Sequence, residues 1–228
     1  MVSPDFSMAR IARAVAPGYP HHITQRGNRR QVTFFFDEDY RLYMQLMREW
    51  CSIHGIAVWA YCIMPNHVHL IVVPETEDGL RLAIGEAHRR YTRHINFREN
   101  WRGHLWQGRF SSFVMDEKYL LAAARYVELN PVRARLTVDP ASYPWSSAGA
   151  HLTGVDDGLV SANPLLELVD DWKSFLCGGL PEVEYEELRR HERTGRPLGT
   201  TTFTEMLERG LGRILTPQKG GRPKRQKN

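Results

Sequence analysis

A chain of 228 residues, 42% hydrophobic and 25% charged, fits one domain with an appendage and has the composition of a soluble globular protein. No apolar run approaches the length of a bilayer span and no apolar leader opens the sequence, which argues against a membrane or secreted role and for the cytoplasm. The net charge of +4 is unevenly spread: residues 1–150 carry 18 Lys+Arg against 14 Asp+Glu, residues 151–187 one against nine, and residues 188–228 eleven against three. That pattern divides the chain into a domain (1–150), an acidic connector (151–187) and a basic helical extension with a disordered tail (188–228), and makes a polyanion the expected partner. The three cysteines, Cys51, Cys62 and Cys177, lack metal-ligand spacing and read as reduced thiols.

Residues 1–17 show no period and are expected to be a loose arm. Tyr19–Gln25 reads as a strand with His22 and Thr24 on one face and His21, Ile23 and Gln25 on the other. The donor-rich loop Arg26-Gly27-Asn28-Arg29-Arg30 follows; its forked guanidinium groups match phosphate, although a solvated basic loop is an equal reading. Residues 32–36 are expected to form a short strand. Asp37 or Asp39 then caps a helix with the apolar stripe Tyr40, Tyr43, Met44, Met47, Trp50 and Cys51, closed by Gly55. Strands over 56–63 and from His67 onward precede a second helix, about 80–98, whose stripe is Leu80, Ile84, Ala87, Tyr91 and Ile95. Arg89, Arg90 and Arg93 lie off that stripe, free to track a nucleic-acid backbone or to be solvated.

Trp101 to Met115 interleaves Trp and Arg, a composition suited to stacking on unpaired bases; the structural alternative is that Trp101 and Trp106 cover a core edge. Arg109–Met115 is expected to be a strand, and Asp116 to cap a third helix, 117–130, ended by Pro131. The order β-α-β-β-α-β-α predicts an α+β fold, an antiparallel sheet layered by helices close to a split βαβ arrangement. Beyond Trp145 the pattern weakens: one short helix near 164–176, further helices at about 182–193 and 202–213, and a tail from Pro217 with five Lys/Arg and no acid, expected to be disordered.

Two features carry chemistry. In Met64-Pro65-Asn66-His67-Val68-His69, the strand alternation puts both imidazoles on one face, able to chelate one divalent ion; hydrogen-bonded sheet histidines are the alternative. Tyr126 lies one helical turn before Asn130, placing a candidate phenol nucleophile beside an amide oxygen that could be a third ligand; a core tyrosine on a buried helix face is the alternative, and the more common one for the pair read alone. Glu128 could compete as a ligand, but two positions after Tyr126 on a helix it is expected to point away from it.

Met64–Ile71, followed by Tyr126-Val127-Glu128-Leu129-Asn130-Pro131-Val132-Arg133-Ala134, resembles the single-tyrosine HUH transposases, closest to their REP-associated branch. Supporting pieces are Ile23–Asn28, Leu105–Phe110 and Tyr143–Ser147, so the likeness spans about residues 20–150; Gly195–Gly199 and Gly221–Lys224 are less specific. The resemblance implies a ferredoxin-like HUH fold that cleaves and rejoins single-stranded DNA at hairpin or palindromic repeats, with Tyr126 attacking phosphorus to leave a 5′-phosphotyrosine and a free 3′-hydroxyl. It implies Mg²⁺ or Mn²⁺ held by His67, His69 and Asn130, the last standing where many relatives carry Gln. DNA contacts are expected from Arg26, Asn28, Arg29, Arg30, Arg89, Arg93, Trp106, Arg109, Arg133, Arg222, Lys224 and Arg225. REP-like hairpins are the expected partner, a monomer the expected state with a dimer as alternative, and the nucleoid the expected association. Two rivals remain: a silent or repurposed DNA- or RNA-binding protein of the same fold, and a metal-dependent nuclease that uses water.

Overall fold

The computed structural model describes residues 11–217. Four strands, β1 (His21–Arg26), β2 (Ile56–Met64), β3 (His67–Pro74) and β4 (Ser111–Val114), form one antiparallel sheet in the order β2-β3-β1-β4. Helix α1 (Asp37–Ile53) links β1 to β2, and α2 (Gly79–Arg98) links β3 to β4. Each crossover spans one strand, β3 for the first and β1 for the second, which is the split βαβ logic of a ferredoxin-like α+β fold. A β-bulge between Val58 and Ala60 is the one irregularity of the β2–β3 pairing.

Alternation along the strands builds two cores. One face sends Ile23, Val58, Tyr61, Ile63, Val68, Leu70 and Val72 against α1 and α2. All five members of the anticipated α2 stripe are fully buried there. The other face sends Ala60, Cys62, Met64, Ile71 and Phe113 against α3 (Glu117–Glu128). At the N-terminus of α1, Asp39 accepts the backbone N–H groups of Phe35 (2.8 Å) and Phe36 (3.2 Å). Arg98 from α2 also pairs with Asp39, and together these contacts outweigh burial and hold its carboxyl below the usual range.

Among residues 11–150 three expectations need correction. Residues 11–17 are not a loose arm: Ala14 and Ala16 are buried beside Phe203, Leu207 and Leu215, and Ile11 N–H donates to Thr194 O. Residues 32–36 form no strand; Thr33 and Phe34 spend their N–H groups on Pro65 O, in the turn before β3, rather than on a ladder. The third helix does not run on to Asn130. It stops at Glu128, and Pro131 sits in the first turn of a separate short helix, α4 (Asn130–Arg133), a position that needs no N–H.

After α4, a 3₁₀ turn at Pro140–Ser142 leads to five more helices: α5 (Ala148–Thr153), α6 (Asn163–Leu166), α7 (Trp172–Cys177), α8 (Glu182–Thr194) and α9 (Thr201–Leu211). The single helix expected near 164–176 is thus two, with Leu165, Trp172 and Leu176 joining the α3 core. Glu128 is the hub of this packing. Its fully buried carboxylate accepts from Ser147 Oγ (2.6 Å), His151 Nδ1 (2.6 Å) and Trp172 Nε1 (2.8 Å), tying α3 to α5 and α7. Removing an acceptor that satisfies three buried donors is costly, so Glu128→Ala is expected to lower unfolding stability by about 3–5 kcal/mol. Urea unfolding measures this; a loss below ~1 kcal/mol would show that the hub does not fix α3. The expected tail lies outside the described residues except for Pro217.

Candidate active site

The polar end of the α3-facing sheet surface is set by register. Arg26 pairs with His67 and Thr24 with His69, so Arg26, Thr24 and His22 share a face with both imidazoles. Val68, Leu70 and Val72 anchor the other side of β3 in the α1/α2 core, which fixes the direction of His67 and His69.

The Pro65-Asn66 turn orients the first histidine. Asn66 Oδ1 accepts from His67 Nδ1 at 2.7 Å, which leaves His67 Nε2 as the lone-pair nitrogen. Asn66 also clamps the arginine loop, receiving Gly27 N–H on its carbonyl (2.8 Å) and donating its side-chain amide to Arg30 O (3.0 Å). Only glycine fits at position 27, because a Cβ there would lie 2.4 Å from Gln31 O. Arg29 and Arg30 occupy the left-handed region (φ 53° and 60°), a conformation that bulky residues adopt at a cost.

His69 is fully enclosed, with its Nδ1 3.1 Å from Nε2 of His22. Burial holds both His22 and His67 down to about 3, Arg26 adding to the effect on His67. Burial, with His67, His22 and Arg26 behind it, puts His69 well below the ordinary histidine range. The imidazoles are therefore neutral near pH 7, the form that binds metal.

Tyr126 reaches this cluster from α3. Its ring is edge-on to His69 (5.3 Å between centroids) and His22 (5.7 Å), with Tyr185 of α8 at 5.3 Å. Burial, then the nearby Glu192 carboxylate, raises the phenol above its usual value. Asn130, at the start of α4, lies beside His67. The anticipated quartet of His67, His69, Tyr126 and Asn130 is thus gathered at one place. Tyr119, on the same helix, instead lines a cavity with Glu187 and Arg190.

Two residues complete the cluster without having been anticipated. His22 is one. Glu192 of α8 is the other: its Oε1 is 3.5 Å from His69 Nδ1 and 3.8 Å from His22 Nδ1, and its carboxylate lies beside the Tyr126 hydroxyl. Burial pushes Glu192 up to about 7. Glu192 Oε1 and His22 Nδ1 are buried without hydrogen-bond partners among the described residues, which is unfavourable for polar atoms unless a ligand completes them. His22, His69 and Glu192 offer three ligand atoms within 4.8 Å of one another. With His67 and Asn130 alongside, the donor set of neutral imidazoles, an amide and a carboxylate fits a divalent cation.

Beside His67 and Glu192 opens a polar cavity of about 480 Å³ lined by Arg26, Arg30, Arg109, Arg189 and Arg193, a concentration of positive charge suited to phosphates. Other anticipated DNA-contacting residues lie elsewhere. Asn28 and Arg29 share the turn with Arg30. Arg89 and Arg93 are exposed on α2, across the sheet, with Arg89 bound to Glu86. Arg133 stands over the Tyr185 ring (3.8 Å) and near Glu182 (3.7 Å). Trp106 is only 6% exposed and packs among Phe34, Tyr43, His88 and Tyr91. Arg222, Lys224 and Arg225 lie outside the described residues.

Residues 15–130 match a family model described as "Transposase IS200 like". A Haemophilus influenzae protein named as a REP-associated tyrosine transposase is 26% identical over 136 residues, covering 55% of this chain and 75% of its own. A solved structure of a REP-associated tyrosine transposase bound to a REP hairpin has a TM-score of 0.56 at 19% identity, covering 68% of this chain and 92% of that one. At that identity the likeness is one of fold. Glu192 lies beyond the matched residues.

Proposed function

The chain belongs to the IS200-like transposase family, and from that premise we propose that it cleaves and rejoins single-stranded DNA at hairpin-forming repeats through Tyr126. The observation that carries this reading is the convergence of Tyr126 on His69 and His22, next to the arginine-lined cavity at His67. In the proposed reaction the Tyr126 oxygen forms a bond to phosphorus, the bond to the 3′ oxygen breaks, and a 5′-phosphotyrosine and a free 3′-hydroxyl result. Religation is the reverse attack by that hydroxyl, so no high-energy cofactor is consumed.

Each residue has a task. Arg26, Arg30 and Arg109 hold backbone phosphates in the cavity. Glu192 is the carboxylate nearest the Tyr126 hydroxyl and the group placed to take its proton. His67, His69 and Asn130 would hold Mg²⁺ or Mn²⁺, with Glu192 as a further candidate ligand from α8. When bound, the ion supplies Lewis-acid polarisation of a non-bridging phosphate oxygen. The proposed domain division follows the same logic: residues 1–150 carry the nuclease, while the following connector and extension close it by delivering α8.

Incubation with labelled single-stranded hairpins and Mn²⁺, followed by a denaturing gel, tests the reading: a covalent protein–DNA band supports it, and strand cleavage without that band would replace it with a water-using nuclease. His67→Ala and His69→Ala are each expected to weaken Mn²⁺ binding in calorimetry by at least about tenfold and to remove the adduct. EDTA should do the same to the unmodified protein; adduct formation that persists in EDTA would rule the metal site out.

A further inference from the structure

Another cavity, of about 380 Å³, opens where α2 meets the 101–110 loop. Its walls include Trp106, His88 and Phe110, with Trp106 5.1 Å and Phe110 6.1 Å from His88 between ring centroids. Arg81, Arg89 and Arg109 bring positive charge to the same cavity. On α2, Gly85 borders it, and a Cβ built there meets no atom within 4 Å.

Two observations point to a ligand. The indole Nε1 of Trp106 is buried and has no hydrogen-bond partner among the described residues, an unfavourable state for a donor unless an acceptor is brought to it. Gln25 and Arg109 line both this cavity and the arginine-lined cavity beside His67. The two cavities are therefore neighbours around one edge of the sheet: β4 ends its pairing at Thr24, and Gln25 and Arg26 continue β1 beyond it.

We infer that this second cavity is a nucleobase pocket, which receives one unpaired base of the single strand whose backbone occupies the cavity beside His67. The Trp106–His88 side of the wall takes a base, the Trp106 N–H turning to a carbonyl oxygen or ring nitrogen on its edge, while Arg13, which lies 3.6 Å over the Phe110 ring, and the other arginines hold the adjoining phosphates. Arg81 and Arg89 are paired with Asp78 and Glu86, but such exposed pairs are weak and yield readily to phosphate. Arg109, common to both cavities, is the hinge of the path. The inference rests on the strand-cleavage reading for the identity of the polymer; the pocket itself is a property of this chain's residues.

Trp106 belongs to the core, so the test works through Gly85, where a side chain enters open space and helix propensity improves. Fluorescence anisotropy would measure binding of the full chain to labelled dT, dC and dA dodecamers and to an abasic dodecamer of equal charge, in the absence of divalent ions. The unmodified protein and Gly85→Ala are expected to bind at least one base-bearing strand about tenfold or more tightly than the abasic strand, the scale of one stacked base. Gly85→Leu should lose that ratio while keeping its affinity for the abasic strand and its thermal midpoint. An unchanged ratio in Gly85→Leu, or no ratio in the unmodified protein, would overturn the pocket. A protein that forms the Tyr126 adduct without base dependence loses the pocket alone. One that shows base dependence yet forms no adduct with Mn²⁺ loses the cleavage reading alone.

Discussion

Tyr126→Phe is expected to abolish the covalent protein–DNA intermediate while leaving hairpin affinity within about twofold. The substitution keeps the ring, and with it the contacts to His69, His22 and Tyr185. It removes only the oxygen beside Glu192, so stability should change by less than about 1 kcal/mol. The attacking atom has no substitute within the cluster: Tyr119 lies in another cavity, and Tyr185 packs beneath Arg133. Single-turnover cleavage should therefore fall by more than about 10³-fold, a barrier increase of over ~4 kcal/mol. Tyr119→Phe is the matched control and should retain the adduct. An adduct that survives in Tyr126→Phe and disappears in Tyr119→Phe would transfer the nucleophile to the other phenol. Glu192→Gln supplies an intermediate case, because it keeps the shape and removes the acceptor; a loss of rate at unchanged hairpin affinity is the expected pattern.

The parts of the site carried by strand parity were legible, and those carried by long-range docking were not. Alternation assigned His67 and His69 to one face and His22 and Thr24 to one face, and both assignments agree with the register. Parity does not say which strand is the neighbour, so His22 could not be placed beside His69 until β1 and β3 were paired. Glu192 was hidden for a different reason. It stands among Arg189, Arg190 and Arg193, a composition that reads as a solvated helix. Its one local signal was the i, i+4 relation to Leu188, which is buried in the α3 core. Pro131 shows the limit of local punctuation: the same residue that ends a helix can open the next one, and here it occupies the first turn of α4 and so sets Asn130 beside His67. For Trp106 the burial agrees with the core-edge alternative rather than speaking to the expected DNA contact, and only the packed structure reveals its unpartnered N–H.

Acid should unfold the metal-free protein steeply, because burial holds an unusual number of histidines neutral. Desolvation lowers His21 to about 4 and His22, His67 and His88 to about 3, with His69 also well below its ordinary value. For each, the folded state refuses a proton that the unfolded chain accepts below about 6.5. The stabilisation is therefore complete above that pH and is lost as the pH falls toward the folded values. Each such group contributes a slope of about 1.4 kcal/mol per pH unit near pH 5. Glu192 has the opposite sign: its folded carboxyl is raised to about 7, so its contribution favours folding at low pH and is lost as the pH rises through 7. One carboxyl offsets one histidine, leaving a net slope of roughly 5–6 kcal/mol per pH unit, against a total stability on the order of 5–15 kcal/mol. Urea titrations in EDTA at pH 7.5, 6.5, 5.5 and 5.0 should show the stability falling by at least about half over that range. Potentiometry should show roughly four more protons taken up per chain on unfolding at pH 5. Stability that stays level down to pH 5 would mean that these imidazoles reach solvent, and the dry, neutral ligand cluster proposed for the metal would go with it.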